Sequence, residues 1–359
     1  MSRILTVTKV KFRDAVKIAL QLKKKLVDLN LLNVSQSVLE SHLFDIMSEY
    51  GYGGRERGTA IYRFQLMTHF HHQRVPLLII LYGTGCVGKS TLATQLGERL
   101  NIPNVLQTDL ILDVMSTFDQ SLAPDEPVWM KKYGGGRAEF LRQYRRECIF
   151  MKSALQGDIE KCFNEGKAII IEGSHIDPLL FFDVINHLSL TSAGTGGADD
   201  EKKKNKDEEE GDDDDDDDWY GRLRLSETDE RVEFEKIQRS YSSLIKSGKK
   251  GIVVPFFMSV ESRDEHYMFF EQWLSARDEL CSIESLGSTF EERLETLSTN
   301  FYHIQDYLVE YDEELRDVKS GHSRRIKVDV NLHRVEDTLD YLHDKVLQAI
   351  EQAYEDKAF

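Results

Sequence analysis

The stretch "LLIILYGTGCVGKSTLATQL", residues 77–96, carries two overlapping phosphate-binding motifs. From Gly83 to Gly88 it spells G-x-G-x-x-G, the dinucleotide fingerprint. From Gly83 to Ser90 it spells G-x-x-x-x-G-K-S, the phosphate loop (P-loop) of ATP and GTP enzymes. Both motifs follow an apolar strand and open a helix. The stretch therefore indicates an α/β fold whichever motif applies, but it leaves open which phosphate-containing ligand is bound.

The residues after the last glycine separate the two motifs. In a P-loop, the backbone N–H groups of the loop and of the following helix bind the phosphates. Lys89 stands where the lysine reaches the β- and γ-phosphates, and Ser90 where a hydroxyl binds Mg²⁺. A dinucleotide loop has no use for this pair. We therefore predict an ATP and Mg²⁺ site whose nucleotide-binding residues are Gly83, Thr84, Gly85, Cys86, Val87, Gly88, Lys89, Ser90 and Thr91.

Asp109, in "NVLQTDL", follows Lys89 by 20 residues at the end of a second apolar run. A dinucleotide fold places an acid there to bind the ribose. Small-molecule P-loop kinases also often place one there, to hold Mg²⁺ or to take the proton of the substrate hydroxyl. Asp109 is therefore a candidate catalytic residue, substrate contact and metal ligand, but it does not by itself separate the two motifs.

From residue 75 onward, short apolar segments alternate with longer helical stretches. Five of these segments predict strands: "PLLIILY", "NVLQT", "AIIIE", "IVVPFFM" and "RIKVDV". Continuous apolar strands separated by helices indicate a parallel sheet that is covered on both faces. Because the first strand runs into the glycine loop, the predicted fold class of residues 75–359 is α/β: a doubly wound P-loop NTPase domain of the nucleoside-kinase-like type.

Residues 1–74 predict a separate helical module. In "FRDAVKIALQLKKKLVDLNLL", Val16, Leu20 and Leu22 lie near one stripe of a helix. The stretch "SQSVLESHLFDIMSEYG" begins with an N-cap serine and ends in glycine, which predicts a second helix. The stretch "GYGGRERGTAIYRF" predicts a turn followed by a third helix.

The net charge of −17 is concentrated in one segment. Residues 199–218 hold 14 acidic residues and 4 lysines, whereas the rest of the chain has a net charge of only −7. This charged, glycine-rich sequence predicts a disordered insertion at about 189–226, because it cannot bury enough apolar surface to fold. It is either a solvated charge run or a docking segment for a basic protein partner. The acidic balance argues against nucleic acid, whose phosphates need a basic face.

The chain lacks the sequence features of membrane and secreted proteins. No apolar run reaches the length of a membrane span, and "MSRILTVTKVKFRDAVKIAL" has no apolar signal core. The four cysteines are widely spaced without a C-x-x-C pair, which argues against a zinc site or a disulfide framework. We predict a cytoplasmic protein with free thiols and no membrane partner.

The stretch "GKAIIIEGSHIDP" places polar residues at the end of the third predicted strand. Ligands of open α/β sheets bind outside the carboxyl ends of the strands. An acid at the end of a strand next to a P-loop supports the Mg²⁺ shell or orients a nucleophile. Glu172 is therefore a candidate catalytic residue and metal ligand.

Four arginines lie between the second and third predicted strands, in "YGGGRAEFLRQYRRECIFMKSAL": Arg137, Arg142, Arg145 and Arg146. The planar fork of arginine suits phosphate, so a local basic cluster in an acidic chain indicates anion binding. A solvated helix face paired with glutamates is the alternative. Arg142 is three residues from Arg145 and four from Arg146, so either pair is placed to share a helix face.

The stretch "SVESRDEHYMFFEQWLSARDEL" follows the fourth predicted strand and predicts a lid helix. A lid over ATP excludes water, which would otherwise hydrolyse the γ-phosphate. Arg263 and Arg277 are candidate catalytic residues that neutralise charge on the migrating group. His266 is a third lid candidate, although a histidine in this setting is more often a surface residue.

Several stretches together resemble the 2-phosphoglycerate kinase family, and most closely its eukaryotic branch, the plant low-phytic-acid P-loop proteins. They are "GTGCVGKSTLATQL", "LNIPNVLQTDLI", "FLRQYRRECIFMKSALQGDIEKCFNEGKAIIIEGSHIDP", "IVVPFFMSV" and "FYHIQDYLVEYDEE", in the family's order over about residues 76–350. The P-loop is generic, whereas "NVLQTD" and "IIIEGSHIDP" at this spacing are more specific. Residues 1–74 resemble a divergent nucleotide-sensing ATP-cone domain.

The resemblance implies ATP-dependent phosphorylation of a small phosphorylated hydroxy compound. In archaeal members the compound is 2-phosphoglycerate, and in plant members the link is to the accumulation of phytate. The resemblance covers Lys89, Ser90, Asp109, Glu172 and His175. In the mechanism that we predict, His175 contacts the acceptor. The predicted arginine contacts to the acceptor's phosphate are Arg137, Arg142 and Arg145.

Two other functions remain open at the level of sequence. The first is a kinase of the same architecture that acts on an inositol phosphate, which would need more than one arginine contact. The second is an ATP-binding regulatory switch without catalysis, in which the helical module and the acidic insertion recruit partners.

Overall fold

The structure, a computed structural model, describes residues 1–31, 33–118, 126–181, 250–277, 286–316, 325–331 and 333–356. The acidic insertion predicted at about 189–226 lies outside the described residues, as does Cys281. None of the described helices is both long enough and apolar enough to cross a lipid bilayer.

The described residues form ten α-helices, one 3₁₀ helix and five strands. The α-helices are α1 Ser2–Val7, α2 Phe12–Asp28, α3 Gln36–Glu49, α4 Ala60–Gln73, α5 Lys89–Leu100, α6 Thr108–Phe118, α7 Gly136–Glu165, α8 Arg263–Ser275, α9 Phe290–Arg316 and α10 Val335–Glu355. The strands are β1 Leu77–Gly83, β2 Val105–Gln107, β3 Ala168–Gly173, β4 Ile252–Ser259 and β5 Ile326–Asp329. The 3₁₀ helix is Val128–Met130.

The five strands form one parallel sheet in the order β2-β3-β1-β4-β5. All five predicted strands and the predicted α/β fold class are confirmed. The strand that carries the P-loop sequence, β1, lies between β3 and β4. In the usual dinucleotide-binding order, 3-2-1-4-5-6, the second strand lies next to the first. The observed order therefore separates the two motifs that overlap in the sequence.

Alternate residues of β1 point into two different cores, one on each face of the sheet. Leu78 and Ile80 pack with apolar side chains of α7 and α9. Leu77 and Ile79 pack with apolar side chains of α5 and α10. Because both faces are covered, every residue of β1 is buried, and the strand is a continuous apolar run rather than an alternating one.

The N-terminal residues are helical, as predicted, and they form four helices. Ser35 is the N-cap of α3, where its side chain accepts a hydrogen bond from the N–H of Val38. The predicted stripe of α2 is wrong: the buried residues are Ala15, Ile18 and Leu22, whereas Leu20 is 61% exposed. The helix has a second apolar stripe, and the sequence alone does not show which stripe faces the core.

Helix α4 packs against the α/β core as well as against the other N-terminal helices. Leu66, Met67 and Phe70 belong to the same buried cluster as Leu77 of β1. A buried ion pair, 3.0 Å from the Nε of Arg63 to a carboxylate oxygen of Glu351, joins α4 to α10. Helix α4 therefore packs in two cores: one face joins the sheet, and the other joins a separate core with the buried residues of α2 and α3. The likeness of residues 1–74 to an ATP-cone domain stays a prediction.

The turn between α7 and β3 yields a test of the fold. Gly166 has a φ of 63°, and a Cβ there would lie 1.8 Å from the carbonyl oxygen of Arg74. We expect Gly166→Ala to lower the free energy of unfolding by about 2 kcal/mol or more, because left-handed backbone and the clash both oppose a side chain. Urea unfolding monitored by circular dichroism measures the change.

The matched control is Gly157→Ala in the interior of the same helix. A Cβ at Gly157 meets nothing within 4 Å. Alanine there should raise the free energy of unfolding by about 0.5–1 kcal/mol, because glycine lowers helix stability. Equal effects of the two substitutions would contradict the account of this turn.

Candidate active site

The sheet brings the predicted residues to one edge because its strands are parallel. β1 ends at Gly83, where the glycine loop begins, and β3 ends at Gly173, directly after Glu172. Glu172 is in register with Leu81 of β1 on one side and with Gln107 of β2 on the other. The carboxyl ends of three neighbouring strands therefore meet at one place, which is where ligands of such sheets bind.

Helix α9 packs against the first residues of the glycine loop. The hydroxyl of Thr84 donates to the carbonyl of Phe301 at 2.7 Å. A Cβ at Gly85 would lie 2.4 Å from the ring of Phe301, so the close approach of α9 requires glycine. The loop ends at Gly88, whose φ of 76° places it in the left-handed region as the N-cap of α5. The chain thus turns from strand to helix within a few residues.

Lys89 is a buried ammonium group at the base of the loop. Its Nζ donates to the carbonyl of Thr84 at 2.5 Å and to the hydroxyl of Ser174 at 3.0 Å. Burial lowers the pKa of Lys89, and the negative charges of Glu172 and Asp109 act in the opposite direction. A buried cation that has lost its hydration gains most from an added anion. The residues of the loop therefore fit the phosphates of a nucleotide.

Glu172 and Ser90 supply oxygen atoms beside this ammonium group. Glu172 is buried, and burial raises its pKa, while the charge of Lys89 and a hydrogen bond from Ser90 lower it and the charge of Asp109 raises it. Mg²⁺ takes few protein ligands and keeps waters and substrate phosphates. Within the described ranges, no group of three or more His, Cys, Asp or Glu could hold a metal alone. The carboxylate of Glu172 and the hydroxyl of Ser90 are oxygen ligands of the kind that Mg²⁺ accepts beside phosphates.

The ring of His175 lies between the carboxylates of Asp109 and Glu147. Its ring is fully buried, with Nδ1 3.5 Å from a carboxylate oxygen of Asp109 and Nε2 3.2 Å from one of Glu147. Burial lowers the pKa of His175, but the two carboxylates outweigh burial and raise it to about 9. The ring is therefore an imidazolium at pH 7. The ring of Trp129, 4.4 Å away from centre to centre, covers it.

In the structure His175 contacts two carboxylates, and its predicted contact with the acceptor stays a prediction. The buried ring of His175 holds the carboxylate of Asp109, whose side chain as a whole is 61% exposed. Burial raises the pKa of Asp109, but the hydrogen bond and charge of His175, with the charge of Lys89, outweigh it and lower the pKa. Asp109 is thus an anion that is held in place by His175.

Glu147 is a functional candidate that the sequence analysis missed. It is buried on α7, and its Oε2 also accepts a hydrogen bond from the N–H of Val128 at 3.0 Å. The available signal was its position: Glu147 falls in the spacing of the buried stripe that includes Tyr144, Cys148 and Met151. An acid within an apolar stripe needs a partner, and His175 is that partner.

The structure does not bring the four predicted arginines together. Arg137 pairs with Glu310 on α9 at 2.8 Å. Arg142 and Arg146 lie on the exposed side of α7, whereas Arg145 is buried. Of the two predicted pairs, Arg142 and Arg146 share a face and Arg142 and Arg145 do not.

Arg145 belongs to a buried polar cluster next to the site. Its Nε donates to the hydroxyl of Tyr307 at 3.3 Å, and that hydroxyl donates to Asp177 at 2.7 Å. Burial raises the pKa of Asp177, while the bond from Tyr307 and the charge of Arg145 lower it. Arg145 therefore faces inward and supports the segment that follows β3.

The two predicted lid arginines have different surroundings. Arg263 pairs with Asp306 of α9 at 2.7 Å and is 59% exposed. Arg277 lies 4.2 Å from the centre of the Trp273 ring. Burial raises the pKa of the Cys86 thiol to about 12, and the charges of Lys89 and Arg277 act against this rise. Arg277 is thus within electrostatic reach of the glycine loop.

The expectation that His266 lies at the surface is wrong. Its side chain is fully buried at the start of α8. Its Nε2 lies 2.8 Å from the carbonyl oxygen of Gly85, in the middle of the glycine loop. The helix predicted as a lid therefore already contacts the loop.

Comparison with known proteins supports the resemblance seen in the sequence. No protein-family model matches the chain. The chain is 26% identical over 189 residues to the 2-phosphoglycerate kinase of Methanocaldococcus jannaschii, covering 51% of this chain and 59% of that protein. It is 26% identical over 195 residues to the same enzyme of Methanopyrus kandleri, covering 52% and 58%. It is 26% identical over 185 residues to that of Pyrococcus horikoshii, covering 50% and 60%.

These matches confirm the predicted likeness to 2-phosphoglycerate kinases, while the likeness to the plant branch stays a prediction. The chain spans less than two thirds of the length of the curated relatives that it matches. A solved structure, the tRNA isopentenylpyrophosphate transferase of Bacillus halodurans, aligns with a TM-score of 0.38 and 14% identity over 78% of this chain and 98% of that one. A TM-score this low supports no argument about function.

The buried pair of His175 and Glu147 predicts a dependence of stability on pH. Because the folded pKa of His175, about 9, lies above its ordinary value of 6.5, the protonated ring stabilises the fold. This contribution, on the order of 3 kcal/mol, is complete below pH 6.5 and is lost as the pH rises through 9. We expect the difference in free energy of unfolding between wild type and His175→Asn to shrink between pH 6.5 and 9.

Urea unfolding at a series of pH values in EDTA measures that difference. The control is His333→Asn, which changes an exposed histidine far along the chain. A gap between wild type and His175→Asn that stays constant over the whole range would show that His175 is not held as an imidazolium.

Proposed function

Starting from the relation of this chain to the archaeal 2-phosphoglycerate kinases, we propose that it is an ATP-dependent small-molecule kinase. It transfers the γ-phosphate of ATP to a hydroxyl group of a phosphorylated acceptor that resembles 2-phosphoglycerate. The observation that carries the proposal is the buried ammonium of Lys89, which lies in the glycine loop within reach of the charges of Glu172 and Asp109.

The loop and Lys89 bind the triphosphate of ATP. Backbone N–H groups of the loop and of the first turn of α5 donate to its oxygens, and the axis dipole of α5 favours the negative charge. Lys89 exchanges the carbonyl of Thr84 and the hydroxyl of Ser174 for phosphate oxygens. Ser90 and Glu172, with Asp109, would hold Mg²⁺, which would supply neutralising charge beside the phosphates.

Asp109 orients the hydroxyl of the acceptor. Phosphoryl transfer has a loose transition state, so a catalyst must position the two oxygens in line more than it must remove a proton early. A carboxylate with a lowered pKa stays ionised and accepts a hydrogen bond from the hydroxyl. His175 and Glu147 hold the carboxylate of Asp109 in place, because the buried ring contacts both acids. The pair acts by positioning Asp109.

The surroundings of the predicted arginines favour an acceptor with one phosphate. Arg137 is paired with Glu310, and Arg145 faces Tyr307 and Asp177. An inositol polyphosphate would need several arginines at once, whereas a monophosphate needs one bidentate contact. Arg277, which is in electrostatic reach of the glycine loop, is the better placed of the two lid arginines to neutralise the migrating group.

The role of Lys89 gives the direct test of the mechanism. Lys89→Met keeps the aliphatic stem, so the fold should remain, while the ammonium that neutralises the transferring phosphate is lost. We expect turnover to fall by roughly 10²–10³-fold or more, as for loss of other preorganised electrostatic groups. Lys345→Ala, on α10 away from the sheet edge, is the control for a lost lysine charge. Wild-type turnover by the methionine variant would sink the mechanism.

The acceptor is tested by ³¹P NMR with MgATP and a panel of phosphorylated acids and inositol phosphates. We expect ADP and a new phosphomonoester signal with 2-phosphoglycerate. A product formed only with inositol phosphates would replace the proposed acceptor with the polyphosphate class. Binding of ATP without product from any acceptor would favour the regulatory switch instead.

A further inference from the structure

His266 is bound to the glycine loop through a single, well-defined hydrogen bond. Its Nε2 is 2.8 Å from the carbonyl oxygen of Gly85. Because a carbonyl only accepts, Nε2 carries the proton. Burial lowers the pKa of His266 to about 4, so the ring is neutral at pH 7 and its Nδ1 is without a proton. This Nδ1 is buried and has no hydrogen-bond partner.

Packing alone does not account for a histidine at this position. A phenylalanine would fill nearly the same space without a buried, unpaired nitrogen, and such a nitrogen lowers stability. The ring is also fixed from its other side, by Phe270 at 4.2 Å between ring centres. Phe270 in turn stacks on Phe301, whose ring contacts Gly85. The donor is therefore aimed at the loop by a rigid aromatic stack.

The bond to Gly85 decides where the next amide group points. The carbonyl and the N–H of a trans peptide point in opposite directions, and none of the described peptide bonds is cis. Since His266 holds the carbonyl of Gly85 toward α8, the N–H of Cys86 points away from α8. In a P-loop, the N–H groups of the loop point at the phosphates.

The conformation of Cys86 needs such support. Its φ of 57° lies in the left-handed region, which a residue with a Cβ seldom adopts. A strained residue of this kind persists only where its surroundings hold it. The hydrogen bond from His266 acts on the peptide that directly precedes the strained residue, which is where it controls the orientation of the amide.

We propose that His266 is a positioning residue of the nucleotide site: it holds the carbonyl of Gly85 outward, and thereby directs the N–H of Cys86 toward the phosphates of ATP. The inference rests on the proposed function, since it concerns the affinity of the same loop for MgATP. It also gives α8 a role in preparing the loop before any closure of a lid.

Three substitutions of His266 separate positioning from packing. His266→Phe fills the space but has no donor. In His266→Gln the amide nitrogen stands where Nε2 stands, whereas in His266→Asn it stands where Nδ1 stands and does not reach Gly85. Titration calorimetry with MgATP measures affinity, and thermal unfolding measures stability. We expect affinity to fall about tenfold for Phe and Asn and to stay within about threefold for Gln.

The matched control is His343→Phe on α10. His343 is also buried, and its Nε2 also lies 2.8 Å from a backbone carbonyl oxygen, that of Val7, far from the glycine loop. We expect this change to leave the affinity for MgATP unaltered. If His266→Phe does not fold, the positioning role is tested by comparing the MgATP affinities of His266→Gln and His266→Asn.

Each outcome of the experiment bears on one of the two claims. If the wild type does not bind MgATP, the proposed function fails. If it binds and the Phe and Asn variants bind equally well, the proposed function stands and the role of His266 is overturned. Loss of affinity in Phe and Asn, with recovery in Gln and without a matching loss of thermal stability, supports the positioning role.

Discussion

The structure depends on the burial of β1 between two parallel neighbours. β3 and β4 pair with it along nearly its whole length, and two separate cores cover its faces. A strand in this position has no freedom to slide, because a shift of one residue would exchange the side chains between the two cores. The glycine loop begins where β1 ends, so its position is set by the packing of the entire sheet. The register also places Glu172 one strand away from the loop.

The chemistry at that edge relies on buried charges that compensate one another. Lys89, Glu172 and Asp109 influence each other's pKa values, and His175 acts on Asp109 from its buried side. Such a group of charges is costly to bury and is stable only when each member has a partner. The bound nucleotide and its metal ion would add charges of both signs at this point, where Lys89 and Glu172 are already buried.

The sequence predicted the features that depend on local chemistry or on simple burial. The five strands were found because strands covered on both faces are continuous apolar runs, and the loop was found because its residue types serve phosphate directly. Glu147 was missed because it is 28 residues from His175 in sequence, and only the packing of α7 on the sheet joins them. The surface placement of His266 was wrong because the sequence of α8 does not reveal which side faces the loop.

The sequence also failed to predict which faces of α2 and α7 are buried, again because contacts with distant elements decide this. Helix α2 carries two apolar stripes, and local periodicity gives no reason to prefer Ile18 over Leu20. In α7, spacing allowed Arg142 to share a face with either Arg145 or Arg146, and the buried cluster around Asp177 selected Arg145 for the interior. In both cases the neighbouring elements decide, and these are distant in sequence.

The length of helix α7 determines how far its different parts move when the helix tilts. Its 30 residues form a rod of about 45 Å, which carries Glu147 near its middle and ends at Gly166, against Arg74. A tilt of about 5° around the middle of such a rod moves each end by about 2 Å. Glu147 lies only about 5 Å from the middle of the rod and would move by about 0.5 Å, so a tilt that displaces the N-terminal helices leaves the seat of His175 nearly in place.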